Sequence, residues 1–98
     1  MAREQQVSAE LGRGIAALVV TAVEVGHDEL EARRQVGAFL HGLALPGATV
    51  LREAVAAVVD LAPAEMREAS GEAQLLAALE ARVWLERMTA DVDRGVPL

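Results

Sequence analysis

Residues 7–31 read VSAELGRGIAALVVTAVEVGHDELE, and the order of residue types in this stretch sets the fold class. Val7, Leu11, Ile15, Leu18, Ala22 and Val25 recur at helical spacing. Glu10, Arg13, Thr21 and Glu24, with Ala17 among them, fall in one narrow polar stripe on the other side. A helix over 7–25 with so little polar surface must be central in a bundle, touched by neighbours on more than one side. Gly26 then stands where a helix ends on a left-handed residue. Asp28 and Glu31 have the spacing of an N-cap acid and a third-position glutamate. Helix, tight corner and second helix follow, the second over 29–43 with a narrow apolar face of Ala32, Val36, Phe39, Leu40 and Leu43 and with Phe39 as its central anchor.

Leu45-Pro46-Gly47 is the strongest break in the chain, since Pro disfavours helix at its neighbour and Gly relaxes the backbone. Thr49 can cap a third helix over 50–61. In that helix Leu51, Ala54, Val55, Val58 and Leu61 face the core, against Arg52, Glu53 and Asp60. Pro63 suits the first turn of the next helix, and Ser70-Gly71 divides that final segment into a short piece over 63–69 and a long helix over 71–93. The prediction is an all-α, compact bundle of four or five helices with short connections, one domain over 1–98, frayed at 1–6 and 95–98.

Composition narrows the function classes. The chain has 98 residues, enough for one core. It is 53% hydrophobic before its 8 glycines are counted, above the usual ~45–50% counted with glycine included, so some apolar surface is expected to meet a partner. There is no Cys, which excludes disulfides, thiolate metal sites and cysteine nucleophiles and makes a reducing cytoplasm the expected compartment. Every basic residue is Arg, and the net charge of −6 repels a phosphate backbone at long range. Nucleic acid is therefore disfavoured as a partner. The apolar run over 15–25, broken by Thr21 and Glu24, reads as a buried helix and not as a membrane span or signal peptide.

Catalytic and metal chemistry find little to work with. Glu24, His27, Asp28 and Glu31 would line one face of a continuous helix, but Gly26 interrupts it and capping explains the last two. Tyr and Lys are absent, and Ser70 lacks the glycine that a nucleophile elbow needs two residues earlier. The expectation is a protein that is not an enzyme and takes no metal or cofactor.

The remaining signals concern partners. Arg33, Arg34 and His41 form a local basic patch beside Gly37 and Gly42, with Glu29 and Glu31 at salt-bridge spacing from the two arginines. The last helix carries two apolar stripes, Leu76-Leu79-Val83 on one side and Ala81, Trp84, Leu85, Met88 and Val92 on roughly the other, separated by charges. A helix packed on one core needs one stripe. The first stripe is expected to face the core, and the second, with Arg33, Arg34 and His41, to meet a protein partner or a second copy of the chain. The predicted function is a helical interaction module, such as a small adaptor, assembly factor, inhibitor or antitoxin-like protein, self-associating. The alternative is an acidic helix-turn-helix DNA-binding regulator with residues 50–61, from Val50 to Leu61, as recognition helix, although the connection across Pro46-Gly47 is longer than that motif uses.

Overall fold

The computed structural model describes residues 2–43, 46–67 and 72–98, and the side-chain surroundings of 6–43, 46–59 and 75–98. Four helices account for most of these: α1 (Ala2–Glu24), α2 (Glu29–Leu40), α3 (Gly47–Arg67) and α4 (Glu72–Asp93). No strand occurs among the described residues. α3 packs extensively on both α1 and α4, α1 also meets α4, and α2 docks on α1. The Cα radius of gyration, 13.1 Å, matches the ~13 Å of a compact chain of about 100 residues. The fold is the small all-α bundle that the apolar periodicities predict.

The core is built from Ile15, Ala16, Val19 and Ala22 of α1, Ala32 and Val36 of α2, Val50, Leu51, Ala54 and Val58 of α3, and Ala78, Ala81, Trp84, Leu85 and Met88 of α4. Alanine supplies six of these positions, so helix axes come close. The tightest approach is at Gly12, which is buried, and where a Cβ would lie 2.5 Å from Glu53 Cβ and 2.8 Å from the Ala54 backbone nitrogen. Ser8 is the one buried polar side chain among the described residues.

The corner after α1 is the one read from sequence. Gly26 has φ 87°, its N–H donates to the Val23 carbonyl at 3.1 Å, and the His27 N–H donates to the Ala22 carbonyl at 2.9 Å, closing a Schellman cap. Asp28 then caps α2 by accepting from the Glu31 N–H at 2.8 Å.

Other boundaries differ from expectation, each for a local reason. α2 ends at Leu40 because His41 is extended and Gly42 adopts φ 86°. The Leu43 N–H bonds back to the Leu40 carbonyl, so Gly42 is a turn residue and not a helix-interior one. α3 starts earlier than predicted, since the Pro46 carbonyl accepts from Thr49 and Val50 N–H at 3.1 and 3.3 Å, and Thr49 lies inside the first turn and not at the cap. α3 also continues through Pro63 to Arg67. A proline there deprives the Val59 carbonyl of its partner, but Val59 stands on the exposed side, where water can replace the lost bond. Leu45, the Ser70-Gly71 break and the side chains of Asp60 and Leu61 lie outside the described residues.

The segment 95–98, expected to fray, is fastened. Gly95 and Val96 N–H groups donate to the Val92 and Asp91 carbonyls at 3.0 and 2.8 Å, and Leu98 packs on the core against Gly37, where a Cβ would lie 3.4 Å from Leu98 Cβ. Gly37 thus lets the tail approach the α2 backbone closely. Phe39, by contrast, is 37% exposed over Gly14 and does not anchor α2. Ala32 and Val36 are the buried residues of that helix, its narrow face allowing only two full contacts. Val7 and Val25, assigned to the inner face of α1, are exposed near its ends, while Ala16 and Val19 are buried.

Gln6–Glu24 of α1 is long and apolar enough, at a mean hydropathy of 1.2, to meet the length and composition of a membrane span. This is more than the shorter run over 15–25 suggested. A third of that window is buried inside the bundle.

Candidate functional site

α4 has apolar residues nearly all the way round, and the bundle covers only half of them. Ala81, Leu85 and Met88 are wholly buried and Trp84 nearly so, while Val92 packs partly buried against the core. Ala81, Trp84, Leu85 and Met88 are therefore interior and Val92 is half covered, so the five do not form a free surface, which corrects their assignment to a partner. The physical reason is area and fit. Trp, Leu and Met remove more apolar surface from water than two leucines and a valine, and the alanines between them, Ala78 and Ala81, let α1 and α3 close over that side together.

The stripe assigned to the core is the one left outside. Leu76, Leu79 and Val83 are 62%, 46% and 44% exposed. They follow one another at helical spacing along the solvent face of α4. Exposed Glu80, Arg82, Glu86 and Arg87 border them. At one end of the stripe, Leu76, Ala77 and Glu80 share a shallow depression of about 340 Å³ with Val23 and Glu24 of α1. The apolar surface thus reaches across the α1–α4 seam.

The predicted basic patch divides. Arg33 turns inward to Asp91 of α4, both partly buried, at 2.5 Å. Arg34 stays exposed, 3.5 Å from Glu31 as its spacing suggested. Glu29 pairs with Arg87 of α4 and not with Arg33. Arg34 and His41 do come together, with Gly37, Ala38 and Leu40 of α2, Val92 of α4 and the Pro97-Leu98 tail, around an open groove of about 530 Å³.

Charge pairs hold α4 at its C-terminal end: Arg33 and Arg94 both reach Asp91, and Arg52 of α3 donates to both Asp93 oxygens at 2.8 and 3.0 Å. Arg33, donating to Asp91, holds its carboxyl below the ordinary value of 3.8. Burial opposes this, and the charges of Arg33 and Arg94 and the Arg94 hydrogen bond act in the same downward direction. A carboxyl with a lower pKa folded than unfolded binds its proton more readily when unfolded. Its contribution is therefore complete above 3.8 and disappears as pH falls through the depressed folded value. The urea midpoint of the native chain is expected to drop as pH falls from 3.8 towards the depressed folded value, and Asp91→Asn to lower the midpoint at neutral pH and flatten the acid limb. Equal acid limbs in the two proteins would show that this pair does not couple folding to pH.

The quartet Glu24, His27, Asp28 and Glu31 is split by the Gly26 corner, with Asp28 engaged in capping. Among the described residues no group of three or more His, Asp or Glu is placed to hold a metal. α3, which contains the supposed recognition helix, is sandwiched between α1 and α4, and among its described side chains Thr49, Arg52, Ala56 and Val59 are exposed, of which Arg52 is already paired with Asp93. No protein-family model, curated protein or solved structure matches the chain.

Proposed function

We propose that this chain is a non-catalytic helical interaction module, working in a reducing cytoplasm, and that it binds protein through the outer face of α4. The observation that carries the reading is the exposed Leu76-Leu79-Val83 stripe. Single exposed aliphatics are ordinary, but three in register on one helix, continued by the α1–α4 depression and rimmed by charge, have the anatomy of an interface with an apolar centre and polar border. The chain's own core offers no place for them, because α4 already presents Trp84, Leu85 and Met88 to it. The roles compatible with such a surface are adaptor, assembly factor, inhibitor or antitoxin-like partner. DNA binding through α3 has weaker support, since the one exposed basic side chain among its described residues, Arg52, is paired with Asp93, on a protein of net charge −6.

A photoreactive benzoylphenylalanine placed at Val83 tests the reading in the native host. Irradiation is expected to give a discrete covalent adduct with a protein, whether another copy of this chain or a different one. The same group at Ala17, on the exposed side of α1, is expected to give none. Absence of any adduct from Val83 and from Leu79 would overturn the assignment of this face.

A further inference from the structure

We infer that the outer face of α4 is covered by a second copy of this chain, packed antiparallel across a two-fold axis close to Val83; the inference rests on the reading of that face as an interface. The order of charges beside the stripe carries it. At 100° per residue, Glu80 and Arg87 fall on one flank of Leu76-Leu79-Val83, and Arg82 and Glu86 on the other. The first flank is the one towards α1 and α2, since Glu80 borders the depression with Val23 and Glu24 and Arg87 reaches Glu29.

An antiparallel two-fold pair sets each flank against the same flank of its partner, so acid and base must exchange places about the centre. They do. With the axis between residues 83 and 84, Glu80 is level with Arg87 of the second copy. With the axis at 84, Arg82 is level with Glu86. The two axis positions differ by half a residue, which shifts one helix against the other by one residue, about 1.5 Å, within the reach of these long side chains, so one pairing satisfies both flanks and every contact occurs twice. Val83 then meets its own copy at the centre, and Leu76 and Leu79 lie against the segment around Ala90, which is exposed on the same face. A parallel two-fold pair would instead set each flank against the opposite one, so that Glu80 would meet Arg82 and not Arg87 of the second copy.

The charges are free enough to serve. Glu80 has no ion-pair partner among the described residues, and Arg87 remains 60% exposed while bound to Glu29, with further N–H donors available on its guanidinium. Arg82 and Glu86 pair within the helix across its surface, about half exposed each. Three aliphatics per copy make a small interface, so the dimer belongs to the weak, reversible class.

Sedimentation velocity over a wide concentration range tests the proposal on the purified full chain. The native protein is expected to shift from monomer to dimer as concentration rises. Glu80→Arg, which places like charges opposite each other at two symmetry-related points, is expected to weaken the dimer by roughly tenfold or more, as is Arg87→Glu. An equimolar mixture of the two variants is expected to recover association, because both contacts become opposite in sign again within the heterodimer. Should Arg87→Glu fail to fold through loss of its Glu29 contact, Glu80→Arg combined with Arg87→Gln replaces it, with partial recovery expected over Glu80→Arg alone. A native chain that stays monomeric throughout, while Val83 still crosslinks to a different protein, would overturn the second copy and leave the interaction reading standing. A dimer indifferent to Glu80→Arg, or a mixture no stronger than either variant alone, would overturn the antiparallel register.

Discussion

Leu85→Glu combined with Met88→Glu is expected to unfold the chain, with loss of most helical circular dichroism at neutral pH and room temperature. Both side chains are wholly buried among α1, α2 and α3 residues. Each substitution removes a large apolar group, worth about 2–5 kcal/mol by truncation alone, and places a carboxylate where no cation is at hand, which adds several kcal/mol or forces the group to take up a proton. A domain of this size has about 5–15 kcal/mol in total, so two such changes exceed it. The matched pair Leu79→Glu with Val83→Glu, on the same helix but on its exposed side, is expected to leave helicity and the melting temperature nearly unchanged while abolishing association. If the first pair gives a folded monomer and the second unfolds, the two faces of α4 have been exchanged.

That contrast also shows where sequence reasoning loses its hold. Periodicity detects that α4 is apolar on two sides, but not which side the rest of the chain covers, because helical spacing is a property of one helix and burial a property of several. The residue sizes held the missing signal. Ala78 and Ala81 beside Trp84, Leu85 and Met88 make a face with both bulk and clearance for two close neighbours, whereas Leu76, Leu79 and Val83 make a uniform ridge that charged residues border on both sides. Trp and Met, frequent at interfaces, pointed the other way. Local chemistry was legible at the first corner, where Gly26 and Asp28 form the turn and the cap as read, since these bonds close within six residues, but not at Thr49, where the Pro46 carbonyl opens α3 earlier. Arg33 was legible as a charge but not as the partner of Asp91, 58 positions away. The Glu29 spacing offered it a nearer carboxylate, which Arg87 takes instead.

Two glycines two residues apart in α1 are expected to respond to the same substitution with opposite sign. At Gly12 an added Cβ would stand 2.5 Å from Glu53 Cβ and 2.8 Å from both the Ala54 nitrogen and the Glu53 carbonyl carbon. Two of these are backbone atoms of α3 and cannot retract alone, so Gly12→Ala requires α1 and α3 to move apart. That seam holds Ile15, Ala16 and Val19 against Val50, Leu51, Ala54 and Val58. Its separation is expected to cost about 1–3 kcal/mol by overpacking, more than the ~1 kcal/mol by which alanine improves an α-helix over glycine. Gly12→Leu, far larger, is expected to abolish folding. At Gly14, which is exposed, the nearest atom to an added Cβ is Phe39 Cζ at 3.8 Å, an ordinary contact on a side chain that is itself partly free to move. There the helix gain is unopposed, and Gly14→Ala is expected to stabilise the chain by about 0.5–1 kcal/mol. Urea denaturation of the two variants beside the native protein reads the result directly. Midpoints that move in the same direction would mean that α1 and α3 do not meet at Gly12, and with that contact the packing of α3 between α1 and α4 would have to be redrawn.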